Sequence, residues 1–150
     1  MAAGTPTVHA SAVLVGSKAA LIRGASGTGK SKLVLDVIAA AAQGALPFAR
    51  LVGDDRVHVE ASGGRVLVRP VPALAGLIEA RGLGVRRLAF EPVATVGFVV
   101  DLAAEDAERL PDPKASEVEI AGIRLPRLAA APGIDTLSLV LAWLRTPPGN

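Results

Sequence analysis

"LIRGASGTGKSKLVLDVI" (residues 21–38) decides how the rest of this chain is read. Leu21 and Ile22 run into a turn holding Gly24, Gly27 and Gly29, followed at once by Lys30 and Ser31. Beyond them Leu33, Val34, Val37, Ile38 and Ala41 recur at helical spacing, leaving Lys32, Asp36 and Gln43 for other faces. A G-x-x-x-x-G-K-[ST] turn between a strand and a helix is the pattern of a phosphate-binding loop. A polyphosphate needs donors that approach it without side-chain bulk, and glycines let successive backbone N–H groups point inward. The helix adds its unpaired N–H groups and the positive end of its dipole. The expected nucleotide-binding residues are therefore Gly24, Ala25, Ser26, Gly27, Thr28, Gly29, Lys30 and Ser31. Lys30 would place a charge on the β- and γ-phosphates, and the Ser31 hydroxyl would ligate Mg²⁺.

Working outward, "VHASAVLVG" (8–16) and "KAALIRG" (18–24) read as a hairpin around Gly16-Ser17 that delivers the chain to the loop. Gly44 and Pro47 stop the helix, and "FARLVGDD" (48–55) is a buried strand ending in two acids, expected beside the loop-bearing strand. "RVHVE" and "GRVLVR" alternate around Gly63-Gly64 as a second hairpin. Residues 70–88, with glycines at 76, 82 and 84, read as less regular. "VATVGFVVDL" (93–102) is the best central strand, 103–116 a polar loop, 116–128 a strand pair, and "IDTLSLVLAWLR" (134–145) a C-terminal helix. The expected architecture is a single α/β domain over 1–150, a strand-rich sheet with flanking helices and ragged ends at 1–7 and 146–150.

Composition narrows the classes. A chain of 150 residues, 51% hydrophobic and 20% charged, is globular and long enough for one core. No stretch approaches the roughly 18 apolar residues of a membrane span, and the N-terminus lacks a secretion-signal layout. Zero Cys fits a reducing, cytoplasmic setting. A net charge of +2 with dispersed basic residues and almost no aromatics argues against a dedicated nucleic-acid binder.

Phosphoryl transfer also needs acids to hold metal or take a proton. Asp54 and Asp55 stand at a strand end, where such groups belong. Adjacent strand residues point to opposite sides, so one would face the phosphates while another group holds its neighbour. His9 is the candidate for that group, and His58 reads as structural. Glu79 is a lone carboxylate in an apolar, glycine-rich stretch, and facing a cation would offset the cost of its charge.

Four segments, "VHASAVLV", "GASGTGKS", "RLVGDDRV" and "LIEARGLGVRRL", resemble in order and separation the catalytic domain of HPr kinase/phosphorylase. That family comprises the bacterial serine kinases of the phosphotransferase-system protein HPr. The resemblance implies a kinase core similar to phosphoenolpyruvate carboxykinase, ATP and Mg²⁺ as cofactors, HPr as partner and a homo-oligomer, hexameric in the family. It implies catalytic roles for His9, Lys30, Asp54, Asp55 (the proton acceptor) and Arg109, and metal-binding roles for Ser31 and Glu79. The family's separate N-terminal domain is not matched here, and Lys32 stands where the family commonly has Glu. Ala131 and Ile134 flank Pro132-Gly133 where the family has the arginines tied to dephosphorylation, so the kinase half is implied and the phosphorylase half is not. A P-loop kinase of another protein or a small molecule, and an ATP-binding regulatory module, are the alternatives.

Overall fold

The structure, a computed structural model, describes residues 6–149. Its elements are β1 (Thr7–Val8), β2 (Ala10–Val15), β3 (Lys18–Arg23), α1 (Lys30–Ala42), β4 (Ala49–Gly53), β5 (Val57–Ser62) and β6 (Arg65–Pro70). They continue with β7 (Leu77–Ala80), β8 (Gly84–Arg87), β9 (Ala94–Asp101), β10 (Glu117–Ile120), β11 (Ile123–Ala129) and α2 (Thr136–Arg145). Nine strands form one curled sheet in the order β1-β5-β6-β9-β3-β2-β4, with β11 on the far end of β9 and β10 on β11.

Strand direction positions the site. β3 and β11 run parallel to β9, whereas β2 is antiparallel to both β3 and β4. The carboxyl ends of β3, β4, β9 and β11 therefore share one rim, the edge where open α/β sheets bind ligands. The strand carrying the paired aspartates is not beside the loop-bearing strand, contrary to expectation. The β2–β3 hairpin fills one edge of β3 and β9 fills the other, so β4 pairs with β2 instead.

Alternation on these strands builds two cores. Val13, Ala20, Ile22, Leu51, Phe98 and Val100 face α1 and α2, so both helices cover the same side of the sheet. Ala10, Ala12, Ala19, Leu21, Val52 and Val99 face the other way, onto the β5–β6 hairpin. The register slips between β2 and β4, where Ala12 pairs with Gly53 but Val13 with Leu51, and again between β3 and β9, where Ala19 pairs with Val96 but Ala20 pairs with Phe98. The extra residue is Gly97, and a Cβ there would stand 2.6 Å from the Cβ of Lys18, so the bulge needs glycine. The ring of Trp143 on α2 closes over Phe98 at a centroid distance of 4.6 Å.

Two further expectations are corrected. Residues 77–87 are not irregular: β7 and β8 pair from Leu77↔Arg87 to Ala80↔Gly84, and the glycines shape a short ribbon. Thr7 is not part of a ragged end, because it pairs with His58 on β5, while residues 1–5 lie outside the described part. No helix among the described residues is long and apolar enough to cross a membrane.

Candidate active site

A cleft of about 720 Å³ opens on the shared rim, between the glycine loop, the start of β2, the end of β4 and the β7–β8 ribbon. The loop leaves β3 at Gly24, where φ is 156° and a Cβ would meet Thr28 Oγ1 at 2.5 Å. At Gly27 and Gly29 a Cβ would meet nothing within 4 Å, which leaves a concave strip of bare backbone. Gly29 caps α1 without a side-chain bond, so the first N–H groups of the helix point at the cleft mouth. Lys30 buries its stem and turns back over the loop, its Nζ donating to the carbonyls of Gly24 at 2.8 Å and Ala25 at 3.2 Å.

The two aspartates divide sharply. Asp54 is buried and fully engaged: Ser11 Oγ donates to its Oδ1 at 2.6 Å, and Ser31 Oγ lies 2.8 and 2.9 Å from its two oxygens. The backbone N–H of Glu79 donates to Oδ2 at 3.2 Å. Because Ser31 gives its single proton to Asp54, its oxygen lone pairs remain for a cation. Asp55 is exposed over 69% of its side chain and sits 3.3 Å from His9 Nε2. The pair's different burial goes with a turn rather than with strand pleat. β4 ends at Gly53, and Asp55 adopts φ 68°.

Glu79 lines the same cleft from β7, and its partner across the ribbon is Val85. The structure thus brings His9, Ser26 to Ser31, Asp54, Asp55 and Glu79 around one cavity. It does not bring in Arg109, which lies exposed on the loop after β9, away from the cleft lining. Gly24 and Ala25 form the loop floor beneath Lys30. Lys32, at the loop's exit, bonds to Asp36 one turn along α1, and that bond raises its pKa. Sequence reasoning missed Ser11. Its signal was present: a hydroxyl alone in an otherwise apolar strand must find a buried partner.

The donor set fits a Mg²⁺–nucleotide. Bare backbone and a lysine suit phosphate oxygens, while the Ser31 hydroxyl and the Glu79 carboxylate suit a hard cation that keeps part of its water shell.

No protein-family model matches the chain. In sequence it is 34% identical over 137 residues to an HPr kinase/phosphorylase of Geobacillus thermodenitrificans, covering 84% of this chain and 42% of that protein. It is 33% identical over 96 residues to an HPr kinase/phosphorylase of Mycoplasma mycoides, covering 64% of this chain and 27% of that one. The chain thus spans less than half the length of these relatives. In structure it matches the Hpr(Ser) kinase/phosphatase of Coxiella burnetii with a TM-score of 0.74 at 22% identity, over 93% of this chain and 88% of that one. The chain is a sequence relative of the HPr kinase/phosphorylases over part of their length and shares the α/β fold of HPr(Ser) kinase/phosphatase.

Proposed function

We propose that this chain is an ATP- and Mg²⁺-dependent protein serine kinase acting on HPr. The observation that carries the reading is the pairing of Ser31 with Asp54 in the same cleft as Asp55 and His9. A phosphate-binding module alone would need the loop and the lysine, but not a second, exposed acid across the cavity.

Bound Mg²⁺ATP would supply the phosphoryl group and neutralise charge as it transfers. The loop amides and Lys30 hold the polyphosphate. Ser31 and Glu79 hold the metal, with Asp54 fixing the Ser31 hydroxyl from behind. Asp55 accepts the proton of the incoming serine hydroxyl, and His9 orients that carboxylate. Arg109 would stabilise transferred charge, which requires the stretch between the anchored Asp106 and Ala115 to fold toward the cleft on binding. The family names of the relatives support HPr as acceptor, and a P-loop kinase of a different acceptor is the alternative. The site is taken to work in a cytoplasmic homo-oligomer.

The test is incubation with HPr and Mg²⁺ATP, followed by mass spectrometry of HPr. Monophosphorylation of one serine, lost with EDTA, is the expected result. ATP turnover that ignores HPr would reassign the acceptor.

A further inference from the structure

Arg23 is the last residue of β3, immediately before the loop's first glycine. Its carbonyl accepts from the N–H of Leu102 at 2.9 Å. Its guanidinium grips Asp101 with both prongs, Nε at 2.7 Å and Nη2 at 2.8 Å. Asp101 accepts a third bond, from Arg127 Nε on β11 at 2.6 Å. The outer nitrogens of Arg127 bond Asp106 at 2.8 and 2.9 Å and the Ala115 carbonyl at 2.9 Å. Asp101 and Arg127 are largely buried, with 15% and 12% of their side chains exposed. Burial alone would push the Asp101 carboxyl up, but the bonds from Arg23 and Arg127 outweigh it and hold it below the usual carboxylate range.

None of these four residues lines the cleft, yet their bonds lead to it. From Arg23 one peptide link reaches Gly24, whose carbonyl takes the Lys30 ammonium at 2.8 Å. Gly24 is also closely packed, since a Cβ there would lie 3.2 Å from the Cβ of Leu102. The ammonium's position is thereby referenced to Asp101 at the junction of β3, β9 and β11. A carboxylate between two guanidinium groups has fixed geometry on both sides, which backbone pairing alone would not give.

We propose that Asp101 is a positioning residue for the phosphate-binding loop: by holding Arg23 it fixes Gly24 and, through the Gly24 carbonyl, Lys30. Arg127 and Asp106 hold Asp101 from the other side and fasten the loop that carries Arg109 to the same point. The role in nucleotide binding rests on the functional reading above, but the ordering of the loop does not.

The test compares amide hydrogen exchange of the free, full chain in wild type and Asp101→Asn, which takes from Arg23 its anion and leaves Arg127 paired with Asp106 alone. Exchange at the Thr28 amide, which donates to the Ala25 carbonyl within the loop, should rise about tenfold, while the β5–β6 hairpin keeps its wild-type rate and Asp101→Glu recovers most of the protection. Wild-type exchange in the loop, or an equal rise in the hairpin, overturns the proposal. Should Asp101→Asn fail to fold, the exposed Asp106→Asn takes its place, with a rise of about threefold expected and an unchanged loop overturning the idea. Calorimetry with Mg²⁺ATP on the same proteins separates the two readings. A wild type that binds none removes the nucleotide assignment and leaves the exchange result to decide positioning, whereas a binding wild type should lose about tenfold in affinity in Asp101→Asn, the low end for an outer-shell loss.

Discussion

At the scale of single residues, the cleft separates holding from chemistry. Lys30 has a buried stem and a head bonded to carbonyls, so a methionine keeps the packing and removes the charge with its two carbonyl bonds. Lys30→Met should weaken Mg²⁺ATP binding by about 10- to 100-fold, the equivalent of one charge-assisted hydrogen bond of roughly 1.5–3 kcal/mol. Calorimetry checks it, and equal affinities would deny the lysine a phosphate role. Asp55 is the opposite case, because among the described residues only His9 engages its carboxylate. Asp55→Asn should leave ATP affinity near wild type and slow transfer to HPr by about 10²-fold or more, the usual range for a lost general base. Full-rate transfer by that variant would make Asp55 turn chemistry, as its φ of 68° alone would allow.

At the scale of elements, what was legible in the sequence followed from local rules. The β2–β3 hairpin, α1, the β5–β6 hairpin, β9 and α2 each carry their own period and punctuation, and each forms where the pattern puts it. What was not legible depends on partners far along the chain. Nothing near Asp54 states that β2 will separate its strand from β3, because that follows from β9 taking the other edge of β3 some 70 residues later. The bonds of Asp101 to Arg23 and Arg127 span separations of 78 and 26 residues and are equally invisible locally. The β7–β8 ribbon was hidden for another reason: its glycines read as breakers when they are turn residues. One buried side chain, Ile78 at 1% exposure, pins that ribbon to the core under α1. Ile78→Ala should cost about 2–5 kcal/mol in urea unfolding. It should also loosen Glu79, whose N–H bonds Asp54, so the Mg²⁺ dependence of ATP binding should weaken in the folded fraction. Mg²⁺ dependence identical to wild type would uncouple the ribbon from the metal site.

At the scale of the molecule, the fold decides which direction of phosphoryl transfer it can support. On the proposed function, forward transfer and phosphorolysis would share the loop, the metal ligands Ser31 and Glu79 and the Asp55 base, so the rim of strand ends would serve both alike. Phosphorolysis must in addition hold inorganic phosphate in line with a phosphoserine, two anions packed close together, and arginine forks are the usual remedy. The segment before α2 offers Ala131, Pro132, Gly133 and Ile134, and its one charged residue is Asp135, whose carboxylate caps the helix through Ser138. Two arginines lie upstream, Arg124 and Arg127. Arg127 is committed to Asp101, Asp106 and the Ala115 carbonyl, and releasing it would take from Asp106 its guanidinium partner and leave Asp101 to Arg23 alone. Arg124 sits on the exposed pair of β10 and β11, bonded to Glu117 at 3.4 Å. The chain should therefore phosphorylate HPr readily but release little pyrophosphate from seryl-phosphorylated HPr given excess phosphate and Mg²⁺. Pyrophosphate appearing at a rate comparable to the forward reaction would refute this and would make Arg124, the less committed of the two, the first residue to replace.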